Sequence, residues 1–471
     1  MKEKIALKEK IGYGFGDFAS SMFWKIFSVY LLFYYTDIFG ISAAVVGTMF
    51  LITRIWDTAF DPIIGIIADR TNTKWGKFRP YLLWIAIPFG LVGVLTFSSP
   101  SLSPTGKIIY AYITYTLMMM VYSAINVPYA SLMGVITSNI KERTTLSTFR
   151  FIFAFAGSIL VLATAEPLVS WFGATVVSTD LQKGWLYTMM VYALIAAILF
   201  YFTFAWTRER VSPPKEQKVS LKEDLKNLAT NKPWFILLGA GVSTLVFNAL
   251  RDGSAIYYFK YYFHSQEAFR LPLLQIAINY STLYLVLGQA ANIVGVVLAK
   301  PVSDRIGKKN TFFYAMLVAT ILSCIFYLFQ ERDLFLIFSF QFLISICAGS
   351  IFPLLWSMYA DIADYSEWKT GRRATGLIFS SSSMSQKLGW TLGGALTGWM
   401  LALYGFEANM VQTIDTKTGI RMMLSFIPAA GALISAIFII FYKLSDSLML
   451  TITEELSIRR IKEQEKQNPV N

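Results

Sequence analysis

The sequence predicts an all-α membrane protein whose twelve transmembrane helices form two pseudo-symmetric six-helix bundles. Of its 471 residues, 55% are hydrophobic and only 15% are charged, whereas soluble domains carry about 25% charged residues. The apolar residues fall into about a dozen runs, each near the ~20 residues that a membrane-spanning helix needs. A short charged motif also recurs at half the chain length, which indicates an internal repeat.

Histidine and cysteine are too scarce for most metal and catalytic chemistry. The chain has one histidine, His264, and two cysteines, Cys324 and Cys347, both within apolar runs. These three residues cannot build a zinc site or a disulfide framework. A Ser-His-Asp triad would depend on His264, which lies in a short predicted loop. We therefore expect neither an enzyme nor a bound cofactor.

The twelve apolar runs set the predicted domain boundaries. We predict an N-terminal bundle over 1–206, a cytoplasmic linker over 207–233, a C-terminal bundle over 234–443 and a cytoplasmic tail over 444–471. The predicted spans lie near residues 12–36, 43–68, 80–99, 108–137, 148–170, 184–206, 234–262, 273–302, 311–330, 334–360, 375–404 and 420–442.

The net charge of +12 is explained by the orientation that we predict for the chain in the membrane. Roughly 30 of the cations lie in alternate connections and about six in the intervening loops, which is the positive-inside pattern. Both termini and the central linker are therefore predicted to be cytoplasmic, and the charge does not indicate nucleic-acid binding. The first span is too long for a signal-peptide core, so we expect it to be retained.

The central linker carries one helix signal. Pro213 and Pro214 interrupt any helix, and Ser220 with Glu223 then forms a capping-box pattern. The leucines that follow favour a short amphipathic helix on the cytoplasmic membrane face. A plain linker without a helix explains the same residues equally well.

Two loops carry the repeated motif. Asp69-Arg70 follows span two and Asp304-Arg305 follows span eight, 235 residues later, and cations come after each pair. This loop resembles the signature loop of the major facilitator superfamily, which ties neighbouring helices together at the cytoplasmic face and biases the opening equilibrium. Two six-helix halves of this kind are a known plan for secondary transporters.

Charged residues inside the predicted spans are the strongest functional signal. An ionised side chain at bilayer depth costs about 2.5–3.5 kcal/mol on insertion scales. Asp57 and Asp61 are four residues apart and share one helical face, with Arg54 one turn before Asp57. One explanation is a static salt-bridge network. The explanation that we prefer is a site with too few local cations to balance its carboxylates, where a proton or a hard cation such as Na⁺ binds and supplies the missing positive charge.

Other polar and aromatic residues within the spans extend this site. Asn126 carries an amide oxygen for a cation, and Pro128 frees a nearby backbone carbonyl. Lys387, isolated in span eleven after Ser383, is expected to pair with a carboxylate of the first half. Arg251 and Asp252 are adjacent and point in different directions, which favours a local structural role. The aromatic candidates for stacking on a sugar ring are Tyr13, Trp24, Trp56, Tyr122, Tyr129 and Trp390.

With these residues in place, the sequence resembles the glycoside–pentoside–hexuronide:cation symporters, the major facilitator family of the bacterial melibiose carrier. The resemblance covers nearly the whole chain and depends on several motifs together. They are Gly14-Phe-Gly-Asp17, Tyr34-Tyr-Thr-Asp37-Ile-Phe-Gly40, Arg54-Ile-Trp-Asp57 with Asp61-Pro62, Trp75-Gly-Lys77-Phe-Arg79-Pro80, and Ala360-Asp361-Ile-Ala-Asp364-Tyr365 with Glu367 and Lys369.

The resemblance implies a role for each matching residue. It assigns the coupling sodium, lithium or proton to Asp57 and Asp61, and the sugar to Asp17 and Arg150. It also implies that Lys387 links the two halves near the cation site. The residues that we add to these on the evidence of the spans and loops are Asn126, Tyr122 and Trp390 for ligand binding, Arg54 and Ser383 for the charge network, and Asp69, Arg70, Asp304, Arg305, Asp361 and Asp364 for gating.

Two departures from the melibiose carrier affect the choice of ion and sugar. Asn126 replaces a span-four aspartate and Ala130 replaces its neighbouring tryptophan, while Gly16 replaces the lysine before the span-one aspartate. Loss of a carboxylate disfavours a metal cation, whereas a proton needs only one carboxylate with a raised pKa. The sequence therefore favours proton coupling slightly over sodium coupling. It does not identify the sugar.

The sequence thus predicts a symporter in the bacterial cytoplasmic (inner) membrane, taking up a sugar or glycoside with H⁺ or Na⁺ as a monomer in the lipid bilayer. A carrier of lipids or drugs would need a largely apolar central cavity, which the buried charges argue against. A transporter-like sensor would need an output domain, and the tail after Lys443 has only 28 residues.

Overall fold

The computed structural model describes residues 5–137, 140–174, 180–210, 231–263, 267–271, 276–370 and 375–467. The described chain is almost entirely helical, as predicted, and the predicted linker helix and His264 lie outside it. The elements are α1 Leu7–Phe33, a π-helix Tyr34–Ile38, α2 Ala43–Arg70, α3 Arg79–Trp84, α4 Ala86–Thr96, α5 Pro104–Ile136, α6 Ile140–Gly173, α7 Leu181–Trp206, α8 Lys232–Tyr257, a π-helix Tyr258–Tyr262, β1 Glu267–Leu271, β2 Ile276–Asn279, α9 Tyr280–Ile306, α10 Lys308–Phe326, a 3₁₀ turn Glu331–Asp333, α11 Leu334–Thr370, α12 Thr375–Leu403, α13 Ile414–Leu424, α14 Phe426–Ile440 and α15 Asp446–Gln467.

Nine helices within the described residues are long and apolar enough to cross a membrane. Predicted span three is divided between the shorter helices α3 and α4. Helices also occupy the positions predicted for spans one and eleven, α1 and α12. The membrane class is therefore confirmed, while the count of twelve spans stays a prediction.

The chain groups into two compact units. The first comprises 1–215, 252–289 and 394–423, and the second comprises 216–251, 290–393 and 424–471. In the first unit α1 packs on α6 and α7, while α2 packs on α5 and α4 packs on α5 and α7. In the second unit α10 packs on α11 and α14, and the tail helix α15 packs on α11.

Two helix breaks follow from proline. A proline lacks the N–H that would bond four residues back, and its ring clashes with that carbonyl. Pro88 therefore ends α3 at Trp84, and Pro428 ends α13 at Leu424. The buried Arg251 guanidinium donates to the freed Leu424 carbonyl at 2.5 Å and to the Gln341 amide oxygen at 2.7 Å. The predicted local structural role for Arg251 thus has a physical basis.

One element departs from the all-α prediction. Strands β1 and β2 form an antiparallel hairpin, with Phe269 paired with Ile278 and Leu271 with Ile276. The predicted span over 273–302 was therefore wrong at its start, since the helix begins at Tyr280. The alternation of Ile276 and Ile278 around Ala277 was the available strand signal, but it is short and continues into a long apolar helix.

Glycine lets α6 approach α1 closely. A Cβ atom added to Gly157 would lie 2.4 Å from the Phe18 carbonyl oxygen, which is backbone and cannot rotate away. Gly157 is two turns from Arg150 on α6, and Phe18 follows Asp17 on α1. The close approach therefore sets the distance between the two helices that carry Asp17 and Arg150.

Substitution of Gly157 tests this packing. We expect Gly157→Ala to destabilise the protein by about 1–3 kcal/mol, because overpacking forces the two backbones apart. The measurement is thermal unfolding of purified protein in detergent. Gly134→Ala on α5 is the matched control, since its added Cβ would meet no neighbouring helix within 4 Å among the described residues and helix propensity favours alanine. Equal stability of the two variants would contradict this account of the packing.

Candidate functional site

The first predicted ligand pair is in direct contact. The Arg150 guanidinium on α6 forms an ion pair with the Asp17 carboxylate on α1, and its second nitrogen lies 3.3 Å from Asp17 Oδ1. The guanidinium also lies 5.2 Å from the Tyr129 ring. Tyr13 and Tyr129 are fully buried and stack on each other at 4.9 Å. These fully buried tyrosines therefore pack on each other and against Arg150, whereas we expected them to be candidates for sugar stacking.

The second site surrounds Asp57, which is only 1% exposed. The Ser123 hydroxyl on α5 donates to Asp57 Oδ1 at 2.7 Å. On the same helix as Asp57, Arg54 Nη1 lies 3.7 Å from Asp57 Oδ2, which is longer than a hydrogen bond. Ser123 was not predicted, because one serine among many in apolar helices gives no signal of its own.

Contacts between α2 and α5 align their oxygen-bearing side chains. Thr53 meets Thr116 at 3.4 Å, and Asp57 meets Ser123 further along both helices, so the two helices run parallel. Asn126, one turn beyond Ser123, therefore lies near the level of Asp61, one turn beyond Asp57. The Asn126 amide nitrogen donates to the carbonyl of its own helix. Its amide oxygen is thus the atom suited to face a cation.

An aromatic pair adjoins the Asp57 site. The Arg54 guanidinium lies 4.4 Å from the centre of the Trp24 ring. Trp24 in turn contacts Tyr122, with ring centres 5.7 Å apart. Both rings are half-buried, while Trp56 is 50% exposed on the surface of α2. Trp24 and Tyr122 are therefore the aromatic candidates that lie beside the buried charges.

Three predicted site residues belong to α12. Lys387 and Trp390 are half-buried on this helix, in the second unit. The side chain of Ser383 lies outside the described part of the structure, as does that of Asp69. The expected pairing of Lys387 with a first-half carboxylate stays a prediction.

The predicted gating loops are held by carboxylates that we did not foresee. Glu209, just after α7, accepts from the backbone N–H groups of Lys77, Phe78 and Arg79 at 2.8–2.9 Å. In the second half Asp446 accepts from the backbone N–H of Lys308 at 3.0 Å. In each half of the sequence, one carboxylate that follows the sixth span therefore hydrogen-bonds to the loop after the second span.

The six predicted gating residues lie in different settings. Asp361 pairs with Lys308, and Asp304 pairs with Lys300 at 2.7 Å. Asp364 is half-buried, whereas Arg70 and Arg305 are exposed. Asp361 therefore forms a long-range ion pair, and the helix α11 carries it to the loop after span eight.

Span one and span seven are joined by two ion pairs. Lys25 Nζ lies 2.6 Å from Asp252 Oδ2, and Lys260 Nζ lies 2.6 Å from Asp37 Oδ1. Asp37 and Lys260 occupy the π-helical segments that end these two spans, and π-helical turns are frequent at functional sites. Asn409 contributes further, since its amide nitrogen donates to the Asp37 carbonyl at 2.6 Å. All five residues belong to the first unit.

A third polar contact joins span five to span eight. Glu166 on α6 accepts from the Asn279 amide at 2.6 Å and from the Ser281 hydroxyl at 2.8 Å. The β-hairpin positions Asn279, its last residue. We did not identify Glu166, because a single carboxylate in an apolar run shows no partner in sequence. Its partners lie more than 110 residues away.

Comparison with protein families finds one match over nearly the whole chain. Residues 12–446 match the model of the family described as MFS/sugar transport protein.

Three curated relatives are similar along almost their full length. The putative glycoside/cation symporter YagG of Escherichia coli K12 is 36% identical over 96% of this chain and 95% of its own. The inner membrane symporter YicJ of the same organism is 37% identical over 97% of this chain and 96% of its own. The isoprimeverose transporter of Lactiplantibacillus pentosus is 36% identical over 94% of this chain and 90% of its own.

The fold also matches a solved transporter. A bacterial homologue of the human lysosomal transporter Spinster, in an inward-facing and unoccupied conformation, aligns with a TM-score of 0.68 at 14% sequence identity. The alignment covers 95% of this chain and 97% of that one. The transporter fold expected from the sequence is thereby confirmed.

The contact between Asp17 and Arg150 predicts a specific pattern of stabilities. Removing one partner of this partly buried pair leaves an uncompensated charge, so Asp17→Asn should destabilise the protein by about 1–3 kcal/mol. The double variant Asp17→Asn with Arg150→Gln should recover much of that loss. Denaturant unfolding of the purified variants is the measurement. If the losses in the two single variants simply add in the double variant, the two side chains are not coupled.

Proposed function

Because the chain belongs to the MFS/sugar transport protein family, we propose that its buried charges form the sugar and cation sites of a symporter. The chain is a multi-pass inner-membrane symporter of a sugar or glycoside with a cation, and it is not an enzyme. The proposal assigns the cation to Asp57 and Asp61 with Asn126, and the sugar to Asp17 and Arg150 with Tyr122 and Trp390.

The hydrogen bond between Ser123 and Asp57 is the observation that supports a cation site at Asp57 and Asp61. It joins α2 and α5 at the level of Asp57, and Asp61 and Asn126 each follow about one turn later on their own helix, which supports a site of two carboxylates and two neutral side-chain oxygens. Oxygen ligands of this kind suit a hard cation. Ser123 is therefore a further ligand candidate beside the predicted residues.

We favour the proton as the coupling ion. A proton bonds to a single carboxylate oxygen and needs no other ligand, whereas Na⁺ stays a discrete cation that needs several oxygen ligands close to the Arg54 guanidinium, which lies 3.7 Å from Asp57. The two like charges would repel each other strongly where water is scarce. Asn126 adds no negative charge to offset this repulsion. Both features favour protonation of Asp57 or Asp61 over sodium binding.

The sugar site follows from the pairing of Asp17 with Arg150. A neutral sugar presents hydroxyl groups that donate to a carboxylate and accept from a guanidinium. The pair offers both functions side by side, and each charge stays compensated while the site is empty. We propose a glycoside or short oligosaccharide as substrate. Isoprimeverose is the first probe, because one relative is named for its transport.

Alternating access requires the contacts between spans one and seven to break and reform. We assign the Lys25–Asp252 and Asp37–Lys260 ion pairs, together with the Glu166 contacts, to a closed outer side. The assignment rests on the predicted orientation, with both termini and the Asp361–Lys308 pair on the cytoplasmic side. Sugar from outside would enter only when these contacts open. We propose that one monomer performs the cycle.

Transport in proteoliposomes tests the coupling ion. We expect a pH gradient to drive accumulation of isoprimeverose and a sodium gradient at equal pH to drive none. Asp57→Asn should abolish accumulation while leaving downhill equilibration of the sugar. Asp180→Asn is the matched control, because this carboxylate caps α7 and pairs with the exposed Lys183. Accumulation by Asp57→Asn at the wild-type level would refute the cation site.

Cross-linking tests the outer contacts. In a background with Cys324→Ala and Cys347→Ala, Asp37→Cys with Lys260→Cys is treated with a short bis-methanethiosulfonate reagent, which joins the two thiols through reducible disulfides. Transport should fall at least tenfold and recover on reduction. The control pair, Asp180→Cys with Lys183→Cys, lies within one helical turn and should cross-link without effect. Full transport by a completely cross-linked Asp37–Lys260 variant would exclude a role for this contact in gating.

A further inference from the structure

Glu166 is a carboxylate at membrane depth whose hydrogen-bond partners are neutral side chains. It lies on α6, which is long and apolar enough to cross a membrane. Its carboxylate accepts from the Asn279 amide at 2.6 Å and from the Ser281 hydroxyl at 2.8 Å. Asn279 ends strand β2, and Ser281 is the second residue of α9. A charged group therefore joins span five to the start of span eight.

Within the described residues, the charge of Glu166 is not balanced by an ion pair. Other carboxylates of the helices form such pairs, Asp17 with Arg150 and Asp252 with Lys25. Charges withdrawn from water are usually paired or bind a metal ion, and an uncompensated charge is costly at bilayer depth. Glu166 is therefore a candidate ligand for a cation.

Two buried hydroxyl groups near Glu166 support a bound species. The Thr282 hydroxyl, next to Ser281, lies beside the Glu166 carboxylate, and its residue is only 3% exposed. Tyr30 on α1 is fully buried and lies within electrostatic range of Glu166. Neither hydroxyl forms a hydrogen bond within the described part of the chain. Buried polar groups of this kind indicate an ordered water or an ion.

The chemistry of these side chains favours a monovalent hard cation. Glu166 supplies one negative charge, and Ser281 and Thr282 supply hydroxyl oxygens. A hydroxyl hydrogen rotates freely, and the Asn279 amide carries an oxygen as well as a nitrogen, so each group is also a neutral oxygen ligand. Oxygen ligands suit hard cations. One positive charge balances Glu166, whereas a divalent ion would leave a net charge at bilayer depth.

We propose that Glu166, Ser281, Thr282 and Asn279 form a Na⁺ site that fastens span five to the start of span eight. All four residues belong to the first unit, and β2 contacts α6. The site is separate from the cation site proposed at Asp57. It also lies apart from the sugar, since Glu166 follows Arg150 by 16 residues on α6, about 24 Å along a helix. The ion therefore stabilises the contact and does not drive transport.

Thermal unfolding of the full-length protein in lipid nanodiscs tests Na⁺ binding. NaCl is compared with choline chloride at equal ionic strength and constant pH. Because a ligand of the folded state stabilises that state by mass action, we expect Tm to rise with Na⁺ and to saturate. Glu166→Gln should weaken the apparent Na⁺ affinity by about ten- to hundredfold. Its Tm in choline chloride should be at least that of wild type, since the variant removes an uncompensated charge and keeps the size of the side chain.

Thr282→Val tests the site without removing a charge. Since the Thr282 hydroxyl forms no hydrogen bond within the described residues, the variant should keep its Tm in choline chloride but bind Na⁺ more weakly. Ser323→Ala is the matched control. Ser323 is also fully buried with no hydrogen bond to the described residues, but it lies on α10 in the second unit, and its loss should leave the Na⁺ affinity unchanged. A purely structural role of Thr282 would leave the response to Na⁺ as in wild type.

Asp57→Asn separates this site from the proposed coupling site. The rise of Tm with Na⁺ should persist in Asp57→Asn with the affinity of Glu166 unchanged. If the rise is lost in Asp57→Asn and kept in Glu166→Gln, the ion binds at the coupling site and the Glu166 proposal is wrong. A Tm that responds to pH in choline chloride, and to Na⁺ not at all, would also overturn the Na⁺ site.

Discussion

The interaction on which this structure depends is the pairing of charges at membrane depth. Because an unpaired charge is costly in a bilayer, a buried ionised side chain needs a partner in the protein or an ion from outside. Arg150 and Asp17 satisfy each other across α1 and α6. Asp57 accepts a hydrogen bond from the Ser123 hydroxyl and lies 3.7 Å from the Arg54 guanidinium. We propose that the difference between these two environments separates a sugar-binding pair from a cation-binding carboxylate.

The same constraint acts on the two sides of the protein in different ways. On the predicted outer side, ion pairs such as Asp37–Lys260 join helices of the first and second halves of the sequence. On the predicted cytoplasmic side, Glu209 and Asp446 hold loops within their own halves. Polar contacts that form and break reversibly suit surfaces that must separate in each cycle. Carboxylates that accept from backbone N–H groups hold the conformation of these loops.

The sequence was sufficient to predict the membrane class and the transporter family, because hydropathy acts over long segments and several family motifs occur together. It also placed Asp17 and Arg150 in one site through the family resemblance. The partners of single charges were not predictable, since Glu166 and Asp37 meet residues more than a hundred positions away. The hairpin before α9 was not predicted, because the sequence of this short segment is compatible with a helix. Its strand β2 contacts α6, and such a tertiary contact is not visible in the sequence.

Charge movement during transport tests the central claim most directly. Isoprimeverose added to proteoliposomes adsorbed on a solid-supported electrode should evoke an inward current, because each neutral sugar brings one cation with it. The variant with Asp57→Asn and Asp61→Asn should still equilibrate the sugar but give no current. An unchanged current per sugar in this double variant would contradict the claim that the two carboxylates carry the coupling ion.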